Sequence, residues 1–74
     1  MNAALVSEET YHVDGVRGVR LSRSGKALLC AGGVCGEGTW IPLGQLRSGS
    51  QVRHEGDRGL LVVGAWLAEK KGWL

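Results

Sequence analysis

The sequence predicts a mainly β (α+β) fold, in which a small antiparallel bent sheet or partial barrel is followed by one short C-terminal helix. A chain of 74 residues is long enough for one hydrophobic core, so we expect a single small domain over residues 1–74. Thirteen glycines exceed average usage and favour many turns between short strands. The spacing of apolar residues changes from strand-like to helix-like after residue 63.

The first half of the chain contains two predicted strands. Residues 1–10 mix small and acidic side chains without periodicity, which predicts a loosely ordered arm. In residues 11–21, YHVDGVRGVRL, Tyr11, Val13, Val19 and Leu21 fall on odd positions and two glycines interrupt them, a pattern typical of a bent or bulged strand. The turn signal SRSG follows, and KALLCA (26–31) predicts a short central strand before the flexible connection 32–38.

Residues 39–46, TWIPLGQL, predict a third strand and a corner. Threonine, tryptophan and isoleucine favour strands. Pro42 has no N–H group to donate to a sheet ladder, so the strand must end there or lie at an edge. We expect Trp40 or Ile41 to anchor the strand in the core, and LGQL to form an irregular or one-turn helical corner.

The last third of the chain predicts two more strands and the helix. SQVRHE (50–55) predicts a strand, GDRG (56–59) a turn and LLVV (60–63) a buried strand. AWLAEKKGWL (65–74) contains good helix formers and places Gly72 at the C′ position, just beyond the helix end.

A helix of about two turns cannot persist alone in water, so this one must dock on the sheet. At about 100° per residue, Trp66 and Trp73 nearly coincide on the helix surface. We expect Trp40 and Trp66 to be buried. Tyr11 and Trp73 are then the aromatic side chains left available for stacking.

Residues 20–74 resemble a group of short phage and prophage proteins of uncharacterised function. The shared order is a KAxL strand, a WIPxSQI-like segment and a terminal WLAxKKGL-like helix, here residues 26–29, 40–46 and 66–74. This chain departs from the pattern in having Gly44 in place of serine and Trp73 inserted before the final leucine. The resemblance implies a compact, mostly antiparallel β protein with a C-terminal helix, encoded by phage-derived DNA, and it implies no activity.

Composition and motifs argue against an enzyme and against a membrane protein. The start of the chain lacks a signal-peptide pattern, and no stretch approaches the roughly 20 apolar residues of a membrane helix, so we expect a cytoplasmic protein. SRSGK lacks the first glycine of a phosphate loop, and neither a serine–histidine–acid set nor a convincing carboxylate pair is recognisable. We therefore expect no catalysis and no cofactor.

A basic segment is the main charge asymmetry in a chain whose net charge is only +2. It comprises Arg17, Arg20, Arg23 and Lys26, with no acid between them. A period of three sends alternate members to opposite faces of a regular strand, but a bend at residues 22–25 could gather several of them beside Arg53 or Lys70. Such a cluster would bind phosphates. The alternative is a solvated hairpin whose charges prevent edge aggregation.

An apolar corner suggests protein contact as a second kind of function. Leu43 and Leu46, completed by Trp73 and Leu74, would form a hydrophobic patch for a partner or a second copy of the chain, giving a weak homodimer. The alternative is a monomer in which these residues fold back and close the core.

Zinc is a further hypothesis for the two cysteines. Cys30 and Cys35, with His12 and His54, would complete a Cys₂His₂ set. A disulfide is an alternative, and we favour a third interpretation in which Cys30 is a core hydrophobe and Cys35 a free loop thiol. The sequence thus predicts a non-catalytic phage or prophage accessory protein that binds nucleic acid, with a protein-interaction module as the alternative.

Overall fold

The computed structural model describes residues 9–74 and confirms the predicted mainly β fold. Four antiparallel strands form a curled half-barrel sheet, and the short C-terminal helix α1 (Ala65–Lys70) follows the last strand. The strands are β1 (Thr10–Leu21), β2 (Ala27–Ala31), β3 (Thr39–Pro42) and β4 (Arg58–Gly64), in the spatial order β3-β2-β1-β4. Residues 1–8 of the predicted arm lie outside the described residues, and Thr10 already belongs to β1.

Two bulges bend β1. At the first, Asp14 and Gly15 lie opposite the single residue Leu60 of β4, and Gly15 has a φ angle of +72°, which glycine adopts without strain. At the second, Val19 is an extra residue that has no partner on β2. Bulges of this kind increase the local twist, which helps the sheet to curl.

The core lies inside the curl of the sheet. Each strand contributes side chains to it, and α1 adds Leu67. The side chains without exposed surface include Leu28, Cys30, Ile41, Val52, Leu61 and Val63. Burial of a large aliphatic side chain contributes about 1.5 to 3 kcal/mol, so this cluster is the main source of stability.

The predicted strand at residues 50–55 is wrong. Polar side chains there take the backbone groups that a sheet ladder would use. The Ser50 hydroxyl accepts a hydrogen bond from a β4 backbone N–H and donates one to a carbonyl of its own loop. The Asp57 carboxylate accepts the backbone N–H groups of Arg53 and His54. Local bonds of this kind compete with strand pairing.

The helix ends at the predicted glycine. Gly72 has a φ angle of +79° and donates its N–H to the Glu69 carbonyl, while Trp73 donates to the Ala68 carbonyl, which is the Schellman pattern. This reversal takes Trp73 off the helical path and packs it against the core. There its ring centroid lies 6.1 Å from that of Tyr11.

The predicted burial of two indole rings is wrong. Trp40 is 40% exposed and Trp66 is 58% exposed. On β3 it is Ile41 that faces the core, so strand alternation turns Trp40 outward. Tyr11 and Trp73, which were expected to be available for stacking, are instead partly buried against the core. The accessible aromatic surface therefore differs from the one that the sequence predicts.

Candidate functional site

The second bulge of β1 places Arg17 and Arg20 on the same face of the sheet. Residues three apart on a regular strand point to opposite faces. Because Val19 is inserted here, Arg17 pairs with Ala31 and Arg20 with Leu29, two residues of β2 that share a face. This is the outer face, turned away from the core.

Trp40 extends the outer face to the edge of the sheet. It pairs with Leu29, which pairs in turn with Arg20, so the three residues form one row across β3, β2 and β1. The guanidinium carbon of Arg20 lies 5.7 Å from the centroid of the Trp40 ring, within cation–π range. The row presents a guanidinium group and an indole ring, both planar, on one surface.

Arg58 adds a third guanidinium group to this face. It lies directly opposite Arg17 in the β1–β4 pair. Like charges in that position are destabilising. Within residues 9–74, no carboxylate forms an ion pair with any of the three arginines. We call the surface formed by Arg17, Arg20, Arg58 and Trp40 the basic face.

A depression of about 300 Å³ lies next to the Arg17–Arg58 pair. Gly15, Val16 and Gly59 complete its lining. It coincides with the first bulge of β1, and a Cβ atom on Gly15 would meet no other atom within 4 Å. The bulge therefore leaves a space, lined in part by Arg17 and Arg58, that is large enough for a small anion.

The remaining basic candidates lie elsewhere. Arg23 is exposed in the turn after β1, and Lys26 is exposed just before β2. The Arg53 guanidinium donates to the carbonyls of Ser50 at 3.1 Å and Arg47 at 2.9 Å, so it braces its own loop. Of the predicted basic residues, the structure brings Arg17 and Arg20 together on one sheet face.

The predicted apolar corner is divided between the core and the surface. Leu43 and Leu46 are partly buried and pack against the core, as does Trp73. Leu43 belongs to a 3₁₀ turn after β3, and Leu46 forms an isolated bridge to Val63. Leu74 remains exposed. Three of the four residues thus cover the edge of the core.

The four proposed zinc ligands do not form a cluster. Cys30 and Cys35 are buried free thiols, whereas His12 and His54 are exposed. In the part of the chain that the structure describes, no three histidine, cysteine or acidic side chains converge on a common point. Burial, with a smaller contribution from Cys35, raises the pKa of the Cys30 thiol to about 12, so this sulfur stays protonated at neutral pH.

Two members of the basic face were missed from the sequence. The sequence predicts a turn at residues 56–59, which include Arg58, although Arg58, Gly59 and the following apolar run belong to one strand. Trp40 was expected to be buried, although in TWIP the alternation allows only one of Trp40 and Ile41 to face the core. The alternation was a usable signal. The insertion of Val19 could not be found in the sequence, because the position of a bulge is set by the pairing with the partner strand.

Comparisons with known proteins do not identify a family for this chain. No family model matches it, and neither a curated protein nor a solved structure shows significant similarity to it. The resemblance to short phage and prophage proteins stays a prediction. Over residues 9–74, no helix has the length and apolar character needed to cross a membrane.

Proposed function

We propose that the protein is a non-catalytic nucleic-acid-binding module whose contact surface is the basic face. One observation supports this most directly: three guanidinium groups, none of them ion-paired with a carboxylate of residues 9–74, share a face with an exposed indole ring. The setting we propose is the one that the sequence predicts, a phage or prophage accessory protein that acts in the cytoplasm.

The chemistry of these side chains matches a phosphate backbone. A guanidinium group presents its donors in a planar fork that fits two phosphate oxygens at once. An arginine that is ion-paired with a carboxylate would lose that interaction on binding a phosphate. In the described part of the chain, residues 9–74, Arg17, Arg20 and Arg58 have no carboxylate partner to lose. Each phosphate that they neutralise releases bound counterions, so binding is strongest at low salt.

The test is a fluorescence anisotropy titration of labelled oligonucleotides at low and high salt. We expect binding at low salt that weakens as salt rises. The double variant Arg17→Gln/Arg58→Gln should bind at least about 10-fold more weakly, because each charged hydrogen bond contributes substantially. Lys71→Gln is the matched control, since it removes an exposed positive charge from the end of α1 and should bind like the wild type.

Two results would overturn the proposal. One is a lack of binding to any oligonucleotide at low salt. The other is a loss of affinity in Lys71→Gln that reaches half of the double variant's loss on a log scale, because Lys71→Gln removes one positive charge and the double variant removes two, so that net charge alone would explain both. Circular dichroism and thermal unfolding of each variant confirm that it is folded.

A protein-interaction module remains the second candidate, and one observation favours it. β3 is an edge strand. One of its edges pairs with β2, and the other edge has no partner strand within the described sheet. The far side of β4, by contrast, is met by backbone hydrogen bonds from residues 47, 51 and 52. Sedimentation across a concentration range separates the candidates, because association through this edge predicts a dimer without nucleic acid.

A further inference from the structure

We infer that the ligand of the basic face is single-stranded nucleic acid, with a base stacked on Trp40 and a phosphate seated between Arg17 and Arg58. This inference rests on the proposed function and specifies its substrate class. It divides the basic face into two subsites, one aromatic and one anionic. Three structural features support it.

The first feature is the exposed indole. Trp40 lies on the edge strand of the sheet and keeps 40% of its surface exposed, with the planar guanidinium of Arg20 over its ring. An aromatic ring on a sheet surface binds bases by stacking, and stacking requires an unpaired base whose face is free. A duplex conceals those faces within its own stack. Trp40 therefore favours a single strand.

The second feature is the depression at the first bulge of β1. It lies beside the directly opposed pair Arg17 and Arg58, and its lining includes Gly15 and Gly59. Two guanidinium groups on one small space can hold a phosphate from two sides. An anion seated there would also relieve the repulsion between the two arginines.

The third feature is the shape and spacing of the face. The sheet curls around the core, so the outer face is convex. A DNA duplex is stiff over about 150 base pairs and touches a small convex surface over a short length only. A flexible single strand can follow the curve. The path from Trp40 on β3 to Arg58 on β4 crosses three strand intervals of about 4.8 Å, a span suited to a few nucleotides.

The experiment compares a single strand of about 12 nucleotides, within the range of site sizes for small β modules, with a duplex of the same sequence. A polyphosphate of matched charge is the third ligand, because it offers phosphates without bases. We expect the single strand to bind at least about 10-fold more tightly than either of the others, since it alone offers free base faces.

Tryptophan variants test the aromatic subsite. Trp40→Ala should weaken single-strand binding by roughly 5- to 150-fold, the range for loss of one base–aromatic stack. Trp66→Ala is the matched control, because Trp66 is also exposed but lies on α1 with the Lys70 ammonium 5.1 Å from its ring centroid. The oligonucleotide should quench intrinsic fluorescence in the wild type and in Trp66→Phe, and much less in Trp40→Phe.

The outcomes separate the inference from the proposed function. If the duplex or the polyphosphate binds as tightly as the single strand, or if Trp40→Ala binds the single strand like the wild type, the inference falls and the proposed function stands. If neither nucleic acid binds at low salt, both fall. Tight single-strand binding that depends on Trp40 and on the Arg17–Arg58 pair supports both.

Discussion

Arg17 and Arg58 lie directly opposite each other on neighbouring antiparallel strands, and no carboxylate in residues 9–74 forms an ion pair with either. A sheet gains nothing from this arrangement, because opposed like charges repel. The pair also flanks the depression at the first β1 bulge. We therefore interpret the pair as part of a binding surface whose arrangement costs some stability in the free protein.

Replacing one member of the pair tests this cost. Arg58→Gln should raise the free energy of unfolding by a few tenths of a kcal/mol at low salt, because cross-strand charge pairs have effects of about that size. The gain should shrink at high salt, where the repulsion is screened. Thermal unfolding at two salt concentrations measures both effects. A clear loss of stability would instead assign Arg58 a structural contact.

A substitution at Gly18 tests how residues 54–57 pack against the sheet. Its N–H donates to the Asp57 carbonyl at 2.8 Å, and a Cβ atom there would collide with the His54 carbonyl. Gly18→Ala should therefore destabilise the protein by about 1 to 3 kcal/mol, the usual cost of overpacking. Gly44→Ala is the control, since a Cβ there meets open space, and it should change little. Equal stability of both variants would contradict this packing.

The two C-terminal tryptophans should differ sharply in their effect on stability. Trp73→Ala removes a ring that packs against the core beside Tyr11, so we expect a loss of about 2 to 4 kcal/mol, while Trp73→Phe should lose less. Trp66→Ala removes an exposed ring and should cost no more than about 0.5 kcal/mol. Chemical denaturation measures each. If Trp66→Ala loses clearly more stability than about 0.5 kcal/mol, the result would indicate that Trp66 is buried.

Asp57 should make stability depend on acid pH. Backbone N–H groups of Arg53 and His54 hold the pKa of its carboxyl below the ordinary value of 3.8. A lowered folded-state pKa means that this contribution is complete above the unfolded-state value and is lost as the pH falls through the folded-state value. Asp57→Asn should therefore be less stable than the wild type at neutral pH, and the gap should close below about pH 3.8. A gap that is constant with pH would exclude a charge effect.

The sequence predicts the elements of this fold better than it predicts the surface. Strand alternation, apolar runs and glycine spacing identify the four strands of the sheet and the helix end at Gly72, because these signals are local. The strand predicted at residues 50–55 fails because the Asp57 carboxylate binds the backbone of this segment, and a propensity for strands does not include such a partner.

The basic face depends on information that lies outside any single segment. Arg17 and Arg20 share a face only because Val19 is inserted opposite β2, and a regular strand would have separated them. Arg58 joins them because β4 pairs with β1, although 40 residues lie between Arg17 and Arg58 in the sequence. The positive charges could be read from the sequence, but their common surface could not.

The salt dependence of single-strand binding tests the central claim most directly. If Arg17 and Arg58 neutralise phosphates, the slope of log K against log salt should be shallower in the Arg17→Gln/Arg58→Gln variant by about 1.4, that is, about 0.7 for each arginine. Lys71→Gln should keep the wild-type slope. Identical slopes in the wild type and the double variant would show that the basic face does not contact the nucleic-acid backbone, and would contradict the account.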